Sequence, residues 1–70
     1  MVKHRVDPKV AGERLRKLRG IRTRTGAAKE LGISLASLQF YESGERNPSP
    51  EMMEKLASYY GVTVESIFFE

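Results

Sequence analysis

The seventy residues predict an all-α domain of five short helices, and three features carry that prediction. Short polar residues stand where a helix needs its first cap: Asp7, Thr23, Ser34, Ser49 and Thr63, two of them followed at once by proline. After each, apolar residues recur at intervals of three and four rather than in the alternation of two that a strand requires. Glycine closes the first four of these runs, at positions 20, 32, 44 and 61.

Composition sets the outer limits. Seventy residues make one domain at most, assigned to 7–70 behind a basic stretch at 1–6. With no cysteine there is neither a disulfide nor a thiolate metal site, and the single His4 lies in the basic stretch. No nucleophile–base–orienter set or metal-ligand spacing appears, so no enzyme, cofactor or small-molecule ligand is expected. No apolar run approaches the roughly 18 residues of a membrane span, and no signal peptide is evident, which leaves a cytoplasmic protein as the expectation. The net charge of +3 hides a lopsided distribution. Up to Glu30 there are ten Lys and Arg against three Asp and Glu; from Leu31 onward there are two against six. A solvated basic helix face is the bland account of Arg14, Arg16, Lys17, Arg19, Arg22 and Arg24, but so uneven a split favours one face for a polyanion.

Met1 to Val6 shows no periodicity and reads either as a disordered tail or as a basic arm. Asp7 and Pro8 then open helix 1, which should run to about Arg19 with Ala11, Leu15 and Leu18 as a narrow buried stripe. Helix 2 follows the connection Gly20 to Arg22. Thr23 is its expected cap, with Thr25 as rival, and it should end near Leu31. Gly26 inside it costs about 1 kcal/mol relative to alanine, so this helix depends on packing against its neighbours. Its N-terminal N–H groups suit a phosphate oxygen.

Ser34 caps helix 3, which should reach about Glu42. At about 100° per residue, Leu38 and Tyr41 point inward with Glu42 beside them. Ala36, Gln39, Phe40 and Ser43 point outward, flanked by Leu35 and Ser37. Gly44 ends the helix in a left-handed cap, and Glu45-Arg46-Asn47-Pro48-Ser49 forms a turn-rich loop. Ser49 and Pro50 start helix 4, which runs to Tyr60 with Met53, Leu56, Ala57 and Tyr60 inward. Thr63 caps a short helix 5 carrying Val64, Ile67 and Phe68. Ile67 should complete the core. So short a helix leaves apolar surplus, and Ile67, Phe68 and Phe69 are assigned to a two-fold homodimer interface.

Helices 2 and 3 carry the most informative spacing. Ala28 is small enough for two helices to cross closely, Gly32 permits the positive φ of a sharp turn, and Leu38 is an apolar plug that packs back. That is the pattern of a helix-turn-helix, whose second helix would lie in the major groove of DNA. A plain αα-hairpin fits the triad alone equally well.

The flanks go further. GERLRKLR (Gly12 to Arg19), LGIS (Leu31 to Ser34), YESGERNPS (Tyr41 to Ser49), EKLASYYGV (Glu54 to Val62) and VESIF (Val64 to Phe68) resemble the lambda-repressor/Cro (XRE-type) family of DNA-binding domains. The resemblance implies a compact five-helix lambda-repressor-like domain acting on double-stranded DNA. It implies base contacts at Leu35, Ala36, Ser37, Gln39 and Phe40. Phosphate contacts are implied at Thr23, Arg24, Thr25, Ser43, Arg46 and Asn47, with Gly44 and backbone N–H groups of the Glu45–Ser49 loop assisting. A structural, partly buried salt bridge between Arg19 and Glu42 is implied as well. Two departures stand out. The connection before helix 2 is shorter than usual, with Ile21 the candidate for the apolar residue that normally packs there. Arg24 occupies a place where the family commonly has Gln.

Helix 3 is also unusually apolar for a groove reader. Leu35, Ala36 and Phe40 could meet thymine methyls while Gln39 pairs with an adenine and Ser37 adds one hydrogen bond. Alternatively the same patch docks a protein, as in an antitoxin or a mobile-element accessory factor. The reading adopted from sequence is a DNA-binding transcriptional regulator that acts by occupancy, repression being the commoner outcome of that mode. It should be a homodimer with half-site centres about 34 Å apart, and no effector domain is expected within these residues.

Overall fold

The computed structural model describes residues 4–70. Its elements are α1 (Pro8–Arg19), α2 (Arg24–Leu31), α3 (Leu35–Ser43), α4 (Pro50–Tyr60) and α5 (Val64–Phe68). Every helix starts on the capping residue expected. Asp7 accepts from the Lys9 N–H, Thr23 from Gly26, Ser34 from Ser37, Ser49 from Met52 and Thr63 from Ser66. Thr23 rather than Thr25 is therefore the cap of α2. No helix among the described residues is long and apolar enough to cross a membrane.

The core is built by one large aliphatic from each helix. Leu15, Leu31, Leu38, Leu56 and Ile67 are all fully buried, and each such side chain contributes about 2 kcal/mol relative to exposure. Ala27 and Ala28, also buried, let α2 lie close to the others despite its eight-residue length. Tyr41, Tyr60 and Leu18 pack against this core from its edge.

Two seams hold the helices together, and they are made differently. At the front, α1 crosses α3 at Gly12. A Cβ on Gly12 would sit 2.3 Å from the Glu42 carbonyl oxygen and 2.8 Å from that of Tyr41. Gly44, at φ +81° beyond the end of α3, is equally confined, since a Cβ there would stand 2.8 Å from the Lys9 backbone. The left-handed conformation alone favours glycine at position 44, and the close approach of Lys9 adds a second reason.

At the rear, His4 to Val6 lies antiparallel beside Phe68 to Glu70. The Val6 N–H donates to the Phe68 carbonyl (2.9 Å), the Glu70 N–H donates to that of His4 (3.0 Å), and Arg5 faces Phe69. From α1, Arg14 reaches back with one terminal nitrogen 3.1–3.3 Å from the carbonyls of Ser66, Ile67 and Phe69. It satisfies oxygens that so short a helix cannot pair internally.

Three expectations change here. Ile67 and Phe68 are buried inside the single chain, at 0% and 3% exposure, so neither lies on a surface that a second subunit could cover. The short α5 hides both because the terminal pairing and Arg14 press it onto the core. Only Phe69 of that trio remains partly exposed. Ile21 does not pack before α2 but is fully exposed. The chain turns too tightly there, with the Arg22 N–H bonded to the Arg19 carbonyl, to aim it inward. Of the basic stretch 1–6, Met1 to Lys3 lie outside the described residues, while His4 to Val6 are committed to the rear seam.

Candidate nucleic-acid interface

The site grows from the buried carboxylate of Glu42. Its side chain is only 2% exposed, on the inner edge of α3, and it is held by two arginines. Arg19, at the end of α1, grips it with both oxygens engaged: Nε lies 2.7 Å from Oε2 and Nη2 lies 3.2 Å from Oε1. This hydrogen bonding raises the Arg19 pKa, against partial desolvation that lowers it. Arg19 also donates to the Arg22 carbonyl, tying the α1–α2 turn to the pair. A carboxylate so placed would be costly unless paired, and the bidentate geometry supplies the pairing.

The second arginine was not foreseen as a partner. Arg24, the first residue of α2, places its Nε 3.0 Å from Glu42 Oε1, and its side chain stays 43% exposed. The sequence signal for this contact was weak, because Arg24 and Glu42 lie on different helices and only the crossing of α2 against α3 brings them together.

The outward side of α3 carries the expected set. Leu35, Ala36 and Gln39 are exposed, whereas Ser37 and Phe40 are half-buried. The Ser37 hydroxyl is occupied, accepting from Ser34 Oγ at 2.9 Å. At the C-terminal half of this face a cleft opens between α1, α2 and α3, lined by Arg16, Arg24, Gln39, Phe40, Glu42, Ser43 and Glu45. Arg24, Gln39, Phe40 and Ser43 thus come together. Leu35 and Ala36 lie a turn away, and Thr23 and Thr25 sit at the start of α2 with the Thr23 oxygen spent on capping. Arg16 is the residue in this cleft that the sequence did not single out. Its signal was membership of the basic run on α1.

The loop after α3 is arranged differently from expectation. The N–H groups of Gly44, Glu45 and Arg46 all turn back to the carbonyls of Phe40 and Tyr41. Those three amides complete the end of α3 and are not turned out toward a ligand. What the loop offers instead is side chains: Asn47 is exposed, and the Arg46 guanidinium lies 4.9 Å from the centre of the Phe40 ring. This stacking covers part of the apolar patch on α3 and fixes a cation beside it. Ser43 donates to the Phe40 carbonyl at 3.2 Å.

Behind the site, Arg22 lies over Tyr59 and Tyr60 at 5.5 and 5.9 Å, and the Tyr59 hydroxyl donates to Glu30. The bond to Glu30 raises the Tyr59 pKa. Burial raises that of Tyr60, reinforced by the Glu42 carboxylate and opposed by Arg19 and Arg22. The Tyr60 hydroxyl finds no partner among the described groups.

Comparison with known proteins agrees with this architecture. A helix-turn-helix family model matches residues 13–67, which take in α2, α3 and α4 whole, α1 from Glu13 and α5 as far as Ile67. An uncharacterized HTH-type transcriptional regulator of Methanocaldococcus jannaschii is 37% identical over 46 residues, covering 66% of this chain and 70% of the relative. The chain belongs to this helix-turn-helix family.

Proposed function

We propose that this helix-turn-helix chain is a sequence-specific regulator of transcription that binds double-stranded DNA, with α3 seated in the major groove. The observation that carries the reading is the exposed side of α3 flanked by cations drawn from three other segments: Arg16 of α1, Arg24 of α2 and Arg46 of the following loop. Base edges would be met by Leu35, Ala36, Ser37, Gln39 and Phe40. Gln39 is the residue able to make a bidentate contact, to adenine N6 and N7, and the apolar members suit thymine methyls. Thr23, Arg24, Thr25, Ser43, Arg46 and Asn47 would meet phosphates. The Arg19–Glu42 pair has another task, which is to fix α1 against α3.

The protein acts by occupancy, most simply as a repressor in the cytoplasm, and binds as a homodimer with half-site centres about one helical turn, 34 Å, apart. Since Ile67 and Phe68 are already buried within the chain, Phe69 is the member of that trio left for such an interface. If each subunit neutralises on the order of four phosphates, log K for the dimer falls with log[salt] at a slope near −7.

One observation favours a second reading. Leu35 is 39% exposed beside Ala36 and Phe40, an apolar surface that could dock a protein. Selection of bound duplexes from a random pool separates the two. The DNA reading expects an enriched, A·T-leaning pair of half-sites whose binding weakens steeply with salt. Failure to enrich any sequence at low ionic strength would favour the protein-docking reading.

A further inference from the structure

We propose that the cleft between α1, the start of α2 and α3 is a seat for a single phosphodiester, with Arg16 and Arg24 as its two jaws and Glu42 positioning the second. The proposal rests on the DNA reading above and adds Arg16 to the binding residues.

Three observations point to it. Arg16 and Arg24 line the same cleft although they come from different helices. Among the described residues Arg16 makes no ion pair, so its charge is uncommitted. Arg24 is engaged only through Nε: Glu42 Oε1 takes that one donor at 3.0 Å and leaves the two terminal amino groups of a 43% exposed side chain free. Glu42 does not need Arg24 for its own neutralisation, because Arg19 already binds both of its oxygens. The arrangement therefore spends one hydrogen bond to hold a guanidinium in place and keeps its forked end for something else. Two planar forks lining one concave site match the oxygens of a phosphodiester, which accept bidentate pairing. Gln39 and Ser43 share the cleft, so a phosphate held there would set the register of α3 against the adjacent bases. Glu45, which also lines the cleft, opposes the anion and limits the net charge of the seat.

A lysine at position 24 would keep the charge but could not be tethered by one nitrogen while presenting two others. That separates positioning from charge alone. The test is titration of the full chain with a fluorescently labelled duplex over a range of NaCl concentrations, for wild type, R16A, R24A, R16A/R24A and R24K. Each single alanine variant should weaken binding at low salt by at least about tenfold. The double variant should fall short of the product of the two, since one phosphate cannot be lost twice. Its salt slope should shallow by about one per subunit rather than two. R24K should keep the wild-type slope yet bind more weakly. Arg16 is exposed, so R16A should melt like wild type, which excludes misfolding as the cause. Independent, multiplicative effects of R16A and R24A, or a wild-type affinity in R16A, would overturn the seat while leaving the DNA reading intact. Wild-type protein that binds no duplex would overturn both.

Discussion

The two seams of this small domain meet opposite demands by opposite means. At the front, α1 and α3 touch backbone to backbone at Gly12 and Gly44, and a buried carboxylate shared by two arginines sits beside the contact. At the rear, α5 is held by apolar burial, by pairing of the two chain ends and by Arg14 on three carbonyls. Apolar packing tolerates small displacements at modest cost. A bidentate ion pair and a contact with no room for a methyl group do not. The front is where the orientation of α3, and hence of Gln39 and Phe40, is decided. The rear needs only to keep the core closed.

This contrast can be broken most severely at Gly12. Gly12→Ala forces a Cβ against the Glu42 carbonyl, and neither helix backbone can yield locally. The expected cost is about 4 kcal/mol or more, beyond the usual range for overpacking. That is comparable to the whole stability of a domain this size, so thermal or urea unfolding should find the variant largely unfolded. A folded variant with a loss under about 1 kcal/mol would mean the front seam is looser than described. Next is Arg19→Ala, which strands Glu42 with Arg24 alone and should cost about 3 kcal/mol. Replacing both partners, as Arg19→Met with Glu42→Leu, should recover most of that loss, because no buried charge is then left unpaired. DNA affinity should not recover with it, since Arg24 loses its tether.

The rear should respond in smaller steps. Ile67→Val should cost about 1 kcal/mol by urea unfolding, the ordinary loss of one buried methylene. Arg14→Ala should cost a similar amount and should speed amide exchange in α5 and at Val6 and Glu70 before it affects the rest. Uniform acceleration across all five helices would show that the two seams are not separable. Smallest of all is Tyr60→Phe, expected to be neutral or slightly stabilising, because the hydroxyl is buried without a partner. Tyr60 also sets an alkaline limit. Its pKa is raised in the folded chain, first by burial and then by Glu42, so the protonated form is the one folding favours. That contribution is complete below the ordinary tyrosine value of 10.0 and is lost as pH rises through the higher folded value. Tyr60→Phe should flatten the fall in melting temperature that sets in above about pH 10.

Sequence revealed the helices and the outward residues of α3 because both follow local rules. Caps, glycine stops and the angular spacing of side chains are readable one helix at a time, and each of the five starts was legible in this way. What escaped were contacts between distant segments. Nothing local tells that Arg24 shares Glu42 with Arg19, that Arg16 shares a cleft with Gln39, or that Gly12 is glycine for want of space. The apolar end of the chain was misjudged for the same reason. Ile67 fills the core as its spacing predicts, but Phe68 reads as surplus to a short helix, whereas the pairing of His4 to Val6 with the C-terminal residues and the reach of Arg14 close the core over both. Of the amides expected to grip a phosphate after α3, those of Gly44, Glu45 and Arg46 are instead claimed by the end of that helix.

All of this converges on which side of α3 meets DNA. The most direct measurement is binding of wild type and Gln39→Ala to a selected duplex and to its single-base-pair variants. The alanine variant should lose about 1–3 kcal/mol on the selected duplex and should cease to discriminate at one or two adjacent base pairs, with its melting temperature unchanged. Unaltered affinity and unaltered discrimination at every position would contradict the placement of this face in the groove.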